Sequence, residues 1–417
     1  KGRAFETFMG SFFRGSFGQY FTPRQIVKFT IDVLPITNNS IVMDTSCGSG
    51  GFLLYALNKV REQATELYPK YKTDTRQYAK WFTYWHDFAA KNLYGIEINE
   101  QISRAAKMNM IMHDDGHTNV ITSDGLLSPQ QIEERTSNNG FQYGRVDFIV
   151  TNPPFGSIVK LTEQAYLKNY SFGKKQHDWL DLRPEPDNES DKEKRDNQST
   201  EVLFIEQAYK FLKPHGYLAI VVPDGILTNS SLQYVRDSIE EWFRIVAVIS
   251  MPQTAFSANG AGVKSSVMIL RKWTDDENKK IVTIKKSIAI DLRMAKQYRE
   301  KVKAWEKEKK AKQKALDGFE NTTGIKKLVE LRKTPEYKNW SAELSATYTT
   351  KVNELKDELN EAYLKERQMK LPDYPIFMAI ADVIGYDATG KPTTANELDY
   401  IGKELSKFIV DIEGNEK

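Results

Sequence analysis

The stretch "IVMDTSCGSGGFLLYAL" at residues 41–57 predicts a buried strand, a glycine-rich loop and a helix, in that order. Glycines allow the backbone to turn sharply, and they let a ligand approach closely because they carry no Cβ. The free N–H groups of a helix N-terminus then favour anionic or polar ligand groups. The loop has neither the G-x-x-x-x-G-K-[ST] pattern that cradles nucleoside triphosphates nor the G-x-G-x-x-G pattern of dinucleotide sites. It therefore predicts a polar ligand of another kind.

Short apolar runs predict a series of buried strands that begins in this stretch: 41–43, 93–98, 119–122, 146–150, 217–222, 245–250 and 266–270. The first five are separated by segments of helical periodicity or by long connections, which predicts parallel βαβ units with helices on both faces of a sheet. Only a loop rich in Pro, Gly and Ser separates the last two, which allows an antiparallel pair at the sheet edge. The predicted fold class is therefore α/β.

Two inserts interrupt the alternation, at about 58–92 and 157–199. The first holds a helix and a polar segment with many aromatic residues. The second is polar and contains "PEPDNESDKEKRDNQ" at 184–198, so we predict a mobile surface loop there. Two interpretations of this loop stay open: a functionless insertion, or a clamp on a substrate.

The composition changes after residue 293, so we predict a main domain over 1–293. Lys, Glu and Ala dominate residues 294–370, with sparse apolar positions such as Val302 and Leu355, which predicts a charged helical arm or hairpin. This arm would be either a solvated spacer or a docking arm for a partner subunit. Apolar content returns in residues 371–417, which we expect to pack back on the chain or to dock a partner.

The overall composition is that of an ordinary globular protein, with 417 residues, 40% of them hydrophobic and 28% charged. No stretch reaches the roughly 18 consecutive apolar residues that a transmembrane helix requires. The single cysteine, Cys47, excludes an internal disulfide and a Cys-rich zinc site. We expect a cytoplasmic protein without a metal or a membrane contact. The net charge of +3 permits a nucleic-acid partner without requiring one.

Acidic residues follow the ends of the first three predicted strands: Asp44, Glu97 and Asp124. The carboxyl ends of parallel strands meet at one edge of a doubly wound sheet, where ligands bind. We expect Asp44 to accept a hydrogen bond from a ligand amine, Glu97 to hold ribose hydroxyls and Asp124 to meet an adenine amino group. The spacing from Asp44 to Glu97 exceeds the ~20 residues of the dinucleotide fingerprint, and the insert at 58–92 accounts for the excess.

The fourth predicted strand ends in "TNPPFG" at residues 151–156. The exocyclic amine of adenine is a poor nucleophile because its lone pair is delocalised into the ring. The carbonyl oxygen of Asn152 can accept one amine proton, and a backbone carbonyl held by the rigid Pro153-Pro154 unit can accept the other. Such fixed acceptors stabilise the charge that develops on the nitrogen, and Phe155 offers a ring on which the base can stack.

This arrangement requires neither a metal nor a covalent nucleophile, although an amine inside duplex DNA must be flipped out to be reached. Cys47 lies in the glycine loop rather than in TNPPFG, which argues against a cysteine adduct of cytosine. From the residues alone several functions stay open. They are methylation of adenine in DNA, of a base in RNA or of a glutamine amide in a protein, and a non-catalytic, cofactor-binding role in an assembly.

The order of these motifs resembles that of the N6-adenine DNA methyltransferases and, more narrowly, the modification (M) subunit of type I restriction–modification systems. The resemblance runs from about residue 4 to residue 275 and is carried by "GQYFTPR" (18–24), "DTSCGSGGFL" (44–53), "YGIEIN" (94–99), "TSDGL" (122–126), "TNPPFG" (151–156), "EVLFIEQAYKFLKPHGYLAIVVPDGILTNSS" (201–231) and "GAGVKSSVMILRKW" (260–273). Two residues depart from the family pattern. Thr45 stands where proline is usual, which predicts a slightly looser glycine loop, and His215 replaces a glycine.

The resemblance implies a seven-stranded, Rossmann-like, S-adenosylmethionine-dependent methyltransferase sheet with a C-terminal charged helical extension. Carried over residue by residue, it assigns S-adenosylmethionine binding to Phe21, Thr22, Asp44, Gly48, Gly50, Glu97 and Asp124. It assigns catalysis, by holding a flipped adenine for direct in-line methyl transfer, to Asn152, Pro153, Pro154 and Phe155. A helical domain normally precedes the first motif in this family, and about 17 residues precede it here, so we expect a truncated chain.

The partners that the resemblance implies are double-stranded DNA and a separate specificity subunit that chooses the sequence. A restriction subunit and a second copy of the chain in the complex are further partners that the resemblance allows.

Overall fold

The computed structural model describes residues 22–113, 119–160, 167–176, 178–182, 193–257 and 262–415. The chain divides into two compact units. Unit 1 comprises residues 1–176, 188–278 and 375–417, and unit 2 comprises residues 177–187 and 279–374. Each segment of unit 2 is therefore preceded and followed along the chain by unit 1.

The strands of the described ranges are β1 (Val42–Asp44), β2 (Leu93–Glu97), β3 (Asn119–Thr122), β4 (Val146–Thr151), β5 (Ile158–Lys160), β6 (Asn197–Ser199), β7 (Leu212–Pro223), β8 (Phe243–Ser250), β9 (Ser265–Lys272), β10 (Phe377–Ile380), β11 (Ile384–Tyr386) and β12 (Pro392–Asn396). The α-helices are α1 (Arg24–Val33), α2 (Gly51–Leu67), α3 (Thr75–Asn92), α4 (Glu100–Met112), α5 (Pro129–Thr136), α6 (Thr200–Phe211), α7 (Gly225–Thr228), α8 (Gln233–Trp242), α9 (Asp275–Ala295), α10 (Tyr298–Ala315), α11 (Leu328–Leu331), α12 (Pro335–Lys370) and α13 (Glu397–Asn415).

One eight-stranded sheet organises unit 1, with the strand order β10-β8-β9-β7-β4-β1-β2-β3. The neighbours β3, β2, β1, β4 and β7 all pair in parallel, as expected for strands joined by crossover helices. All seven strands predicted from the sequence are present, and the α/β class is confirmed. The chain reverses direction across the sheet at β1 and β4, which places a switch point between their carboxyl ends.

Two features of the sheet differ from the sequence predictions. The sheet has eight strands rather than seven, because β10 adds to β8 in parallel through Phe377–Ile380. In addition, β9 lies between β7 and β8 and is antiparallel to both. Because β10 lies beyond β8, the antiparallel pair of β8 and β9 is not at the sheet edge. Local pattern identifies a strand but not its neighbours, since those are chosen by tertiary contact with distant parts of the chain.

Buried side chains alternate between the two faces of the sheet, as a strand requires. In β7, Ala219 and Val221 pack in the cluster that contains α1, α2 and α13, whereas Leu218 and Ile220 pack in the cluster that contains α5, α6 and α8. Helices therefore cover both faces, which leaves the carboxyl edge of the parallel strands as the place for a ligand.

The insert at 58–92 is a pair of packed helices, because α2 continues to Leu67 and α3 follows a short turn. The sequence predicts a surface loop over 157–199, but the structure differs in the described part. β5 and β6 pair antiparallel, and Tyr170 and Phe172 are buried in the core. These two aromatic residues supply the buried apolar surface of a segment that is poor in branched aliphatic residues.

The C-terminal residues of unit 1 pack against its sheet. β11 and β12 form an antiparallel pair, and α13 contacts α1, where Gly402 lies against the ring of Phe29. One face of α13 is buried through side chains at helical spacing: Leu398, Ile401, Leu405, Ile409 and Ile412. The prediction of apolar packing in this region therefore has a structural counterpart in a strand, a hairpin and a helix.

Unit 2 is helical. A small apolar cluster joins α10 to α12 through Val302, Leu355 and Leu359, which lie at positions that the sequence marks as apolar. Trp179 stacks on Tyr363 with 4.7 Å between ring centroids. The apolar cluster holds the two long helices side by side, and the stacked pair joins α12 to the segment around Trp179.

Candidate functional site

The glycine loop connects β1 to α2 and requires glycine at two positions. Gly48 and Gly50 have φ values of 53° and 83°, in the left-handed region that disfavours residues with a Cβ. The loop closes through a hydrogen bond of 2.8 Å from the N–H of Gly50 to the carbonyl of Cys47. Gly50 then caps the helix, so the first N–H groups of α2 lie at the carboxyl edge of the sheet.

Glu97 ends β2 and is buried, with 5% of its surface exposed. Its Oε2 accepts the N–H of Gly48 at 3.0 Å, and its Oε1 accepts the N–H of Asn99 at 2.8 Å. The carboxylate thus fixes the glycine loop from the neighbouring strand, a role that sequence reasoning missed. A carboxylate carries further lone pairs, so the predicted contact with a ribose is compatible with these bonds.

A buried hydroxyl network joins the glycine loop to the end of β4. The Thr151 hydroxyl donates to Asp44 Oδ1 at 2.8 Å, and Ser46 N–H donates to the same oxygen at 3.0 Å. Because the only hydroxyl proton of Thr151 goes to Asp44, the hydroxyls of Ser46 and Thr45 are the donors to Thr151, at 2.8 and 3.2 Å. Thr45 therefore adds a hydrogen bond between the two loops, and the slightly looser glycine loop stays a prediction.

The electrostatics of this network follow from its burial. Asp44 is 1% exposed, and burial raises its pKa to about 7, with a further increase from the charge of Glu97. The Ser46 N–H and the Thr151 hydroxyl oppose this increase because they stabilise the ionised carboxylate. Burial also raises the pKa of the Cys47 thiol well above its usual value, so this side chain is a neutral thiol and not a nucleophile.

Asp124 follows β3 at the same edge of the sheet. Its Oδ1 accepts the N–H of Leu126 at 2.9 Å, which shapes a tight turn. At Gly125 an added Cβ would lie 2.2 Å from the carbonyl oxygen of Thr45, so only glycine fits against the glycine loop. The turn that carries Asp124 therefore packs directly on the loop that carries Asp44.

Asn152 is the first residue after β4. Its side-chain Nδ2 donates to the hydroxyl of Thr22 at 2.9 Å, which fixes the orientation of the amide. Its Oδ1 is buried and has no hydrogen-bond partner among the described residues. A buried carbonyl without a donor costs about 1–3 kcal/mol. An acceptor held in place without a partner is the arrangement expected of a group that meets a donor on a ligand.

The two prolines of the TNPPFG loop differ in burial. Pro153 is buried and Pro154 is exposed, and the carbonyl of Pro154 accepts the hydroxyl of Thr200 at 2.9 Å. Phe155 is half-buried and meets the buried ring of Phe256 edge-on, with 6.5 Å between centroids. Because the Pro154 carbonyl already accepts a hydrogen bond, the Pro153 carbonyl is the one of the pair that can accept from a ligand.

The structure places most of the predicted site residues at one edge of the sheet: Thr22, Asp44, Gly48, Gly50, Glu97, Asp124, Asn152, Pro153, Pro154 and Phe155. Phe21 lies outside the described residues. Thr151, Ser46 and Gly125 were not predicted. A threonine before Asn-Pro-Pro gives no signal of its own, since its role depends on the neighbouring strand.

The described residues contain no group of three or more His, Cys, Asp and Glu side chains placed to hold a metal ion. None of the helices in the described ranges has the length and apolar character needed to cross a membrane.

The fold and the site together define an α/β protein with a glycine loop and an acceptor loop side by side at the switch point of its sheet. The N-6 DNA Methylase family matches residues 1–344, and the chain belongs to this family. This membership confirms the resemblance to N6-adenine DNA methyltransferases that the motifs indicated.

Similar proteins include type I methylase subunits. The chain is 24% identical over 262 residues to the methylase subunit of the type I restriction enzyme EcoEI from Escherichia coli, covering 62% of this chain and 43% of that protein. It is 26% identical over 267 residues to the type II restriction enzyme and methyltransferase RM.BcgI from Heyndrickxia coagulans, covering 63% of this chain and 33% of that protein. The chain thus spans less than half the length of these relatives.

Solved structures that are similar to this chain include a modification subunit of a putative type I restriction enzyme from Vibrio vulnificus. It is 19% identical with a TM-score of 0.48, and the match covers 65% of this chain and 48% of that one. The EcoKI M protein is 22% identical with a TM-score of 0.42, and the match covers 63% and 46% of the two chains.

Proposed function

We propose that this protein transfers a methyl group from S-adenosylmethionine to N6 of adenine in DNA, as the modification subunit of a type I restriction–modification system. The observation that carries the proposal is the buried Oδ1 of Asn152, which has no hydrogen-bond partner among the described residues. Family membership and the type I methylase subunits among its relatives support the choice of adenine in DNA.

The residues at the sheet edge fit S-adenosylmethionine. The cofactor would supply an electrophilic methyl group on a sulfonium. Gly48 and Gly50 leave room for its approach because they carry no Cβ, and the free N–H groups of α2 favour its polar end. Carboxylates suit its amine and hydroxyl groups as donors, so Asp44, Glu97 and Asp124 would accept from them.

The acceptor loop supplies what a flipped adenine requires. Asn152 Oδ1 accepts one proton of the exocyclic amine, and the Pro153 carbonyl accepts the other. With both protons held, the lone pair of the nitrogen is freed from the ring and points away from the acceptors. These dipoles are fixed before the reaction, so little reorganisation is needed as positive charge develops on the nitrogen. Phe155 offers an aromatic ring on which the base stacks.

The partners of the whole protein are part of the proposal. Double-stranded DNA would be the substrate, and a specificity subunit would choose the sequence, since the net charge of +3 gives this chain little grip on phosphates by itself. A restriction subunit and a second copy of the chain would complete the assembly, in the cytoplasm. For the helices of residues 294–370 two roles stay open, a solvated spacer or a docking arm for a partner subunit. For the segment at 157–199 they are a functionless insertion or a clamp on the substrate.

One experiment separates this proposal from its alternatives. The protein is incubated with isotopically labelled S-adenosylmethionine and unmethylated DNA, with and without candidate specificity subunits encoded beside it. The proposal expects label in DNA as N6-methyladenine when a matching subunit is present. Label that enters RNA or a protein glutamine instead, with none in DNA under any combination, would refute it. Cofactor binding without transfer to any acceptor would indicate a non-catalytic assembly subunit.

A further inference from the structure

The charges of unit 2 are unevenly distributed between its two long helices. α10 carries eight Lys and Arg residues against three Glu, a net charge of +5, whereas the whole chain has a net charge of +3. Its packing partner α12 carries six Lys and Arg residues against seven Asp and Glu. The positive charge of the protein is therefore concentrated on one helix of 18 residues, and the rest of the chain is slightly acidic.

Five basic residues of α10 form a row along one face of the helix. They follow one another at intervals of three or four residues, which places successive side chains next to each other on the helix surface. All five are exposed: Arg299, Lys303, Lys307, Lys310 and Lys314. At a rise of about 1.5 Å per residue, this basic row is about 22 Å long.

The packing of α10 in unit 2 leaves the basic row exposed. Tyr298 and Val302 are buried in the apolar cluster that includes Leu355 and Leu359 of α12, and Trp305 packs against that cluster. With 3.6 residues per turn, the side of α10 that faces the cluster lies about a third of a turn away from the row. The row is therefore a free surface of unit 2 and not part of its core.

The four lysines of the basic row have no ion pair among the described residues. The ion pair on α10 joins Lys312 to Glu308 at 3.6 Å, and both of these residues lie outside the row. Like charges three or four residues apart destabilise a helix. The stability of α10 therefore does not account for the row.

The side chains beside the basic row indicate the kind of partner that fits it. They are small or acidic and include no large apolar residue: Glu300, Ala304, Glu306 and Ala311. The core of a protein–protein interface is apolar and depleted of charged residues, which this surface does not offer. A DNA duplex presents one negative charge per about 1.7 Å of its axis, so on the order of ten phosphates lie along a surface as long as the row.

We propose that the basic row of α10 binds backbone phosphates of duplex DNA, so that unit 2 carries a DNA contact that does not depend on sequence. Binding releases the counterions that are condensed on the DNA, and this release favours association. Contacts to phosphates position a protein on DNA but carry no sequence information, so the choice of sequence stays with the specificity subunit. The choice of DNA as the polyanion rests on the proposed function.

The test measures binding of the full chain to fluorescently labelled duplexes of two unrelated sequences, by anisotropy over a range of salt concentrations and without S-adenosylmethionine. The variant replaces the four lysines of the row together: Lys303→Gln, Lys307→Gln, Lys310→Gln and Lys314→Gln. The slope of log K against log salt should become less negative by up to about 3.6, because each phosphate contact contributes about 0.9. The loss of affinity should be equal for the two sequences.

Two further variants control for charge and for position. Arginine at the same four positions keeps the charge and should keep the slope. The second control removes four exposed lysines of unit 2 that lie outside the row, on α9 and α12: Lys279→Gln, Lys280→Gln, Lys286→Gln and Lys338→Gln. This control should change the slope by less than about one. Gln and Lys have similar helix propensities, so all variants should keep the melting temperature of the unaltered chain.

The outcomes are separable from those of the proposed function. An unchanged slope in the glutamine variant of the row, or an equal change in the second control, overturns the proposal. Failure of the unaltered chain to bind either duplex at about 50 mM salt also overturns it, even if the complex methylates DNA. Loss of binding to the specificity subunit with DNA binding intact overturns it and assigns the row to an acidic protein partner. A chain that binds DNA through the row but methylates no DNA in any complex refutes the proposed function alone.

Discussion

The glycine loop and the TNPPFG loop lie at adjacent strand ends, yet they treat their polar groups in opposite ways. In the glycine loop the polar groups bond to the protein itself: Glu97 accepts the N–H of Gly48, and Thr151 donates to Asp44. In the TNPPFG loop the orienting bond of Asn152 goes through its nitrogen, and the carbonyl oxygen is left buried without a described partner.

This difference separates two tasks. A loop whose polar groups are already bonded keeps its shape without a ligand, so its contribution is to affinity through a preformed surface. A buried acceptor without a hydrogen-bond partner raises the free energy of the ligand-free protein, and a donor on a ligand removes this cost. We expect such a loop to contribute to the reaction step in which that donor group changes. Changes in the first loop should alter cofactor binding, and loss of the Asn152 acceptor in the second should alter the rate of transfer.

The largest expected effect is that of Asn152→Ala. Loss of the orphaned acceptor should lower the rate of methyl transfer by at least about a hundredfold to a thousandfold, as for removal of one preorganised group in other sites. The Kd for S-adenosylmethionine should stay within about twofold, since the glycine loop keeps its internal bonds. Calorimetry and single-turnover transfer measure the two quantities. A large loss of cofactor affinity would erase the distinction between the loops.

Glu97→Ala should act on binding instead. The substitution removes the acceptor for Gly48 and Asn99 N–H groups, and hydrogen bonds to charged groups are worth about 1.5–3 kcal/mol. The Kd for S-adenosylmethionine should rise by about ten- to a hundredfold, measured by calorimetry, with a smaller change in the rate at saturating cofactor. Asp87→Asn serves as control, because Asp87 forms an exposed ion pair with Lys91 on α3. Equal affinities of the two variants would contradict the assigned role.

Phe155→Leu should weaken substrate binding while the acceptor pair persists. Stacking of a base on an aromatic ring is worth about 1–3 kcal/mol, so KM for DNA should rise by about five- to a hundredfold. Phe155→Tyr keeps the ring and should restore KM to within about twofold. Steady-state kinetics on the reconstituted complex give both values. A pure kcat defect in Phe155→Leu would indicate that the ring serves the fixed geometry of the loop rather than the base.

The smallest expected effect is a pH dependence of cofactor binding. Burial holds the pKa of Asp44 at about 7, so the carboxyl group is largely protonated at pH 6 and largely ionised at pH 8. If it accepts from a cationic cofactor, affinity should rise with pH over this interval, by up to about tenfold, with release of protons on binding. Calorimetry in two buffers of different ionisation enthalpy counts those protons. Asp44→Asn should bind without this dependence, and a retained pH profile would assign it to another group.

The sequence predicts the elements that depend on a few consecutive residues, but it does not predict which distant strands become neighbours in the sheet. The seven strands and the acids that follow three of them are recognisable because each depends on a few consecutive residues. The position of β9 between two other strands and the addition of β10 depend on pairing across the sheet, which no short pattern encodes. The roles of Thr151 and of Gly125 also arise only once two strand ends are adjacent. Thr151 bonds to Asp44 at the end of another strand, and Gly125 packs against Thr45 in another loop.

The same limit applies inside the predicted site. Asn152 was recognised by its neighbours in sequence, whereas the burial of its Oδ1 without a partner among the described residues is seen only in the structure. Glu97 was predicted to meet a ribose, yet its visible bonds hold the glycine loop, because the parallel register of β1 and β2 places Asp44 beside Gly95. A carboxylate at a strand end can accept hydrogen bonds from the protein and from a ligand at the same time. The sequence alone does not show which of these bonds it makes.

The pairing of β10 with β8 has a consequence for how the protein folds. Residue 250 ends β8, whereas its partner begins at residue 377, after the helices of unit 2 have been synthesised. During translation the edge of β8 therefore stays open for the time needed to make on the order of a hundred residues, several seconds at 5–20 residues per second. An open strand edge is a template for wrong pairing between chains. The helices of unit 2 need only local contacts, so they can form during this interval and need not delay the pairing of β10 once it is made.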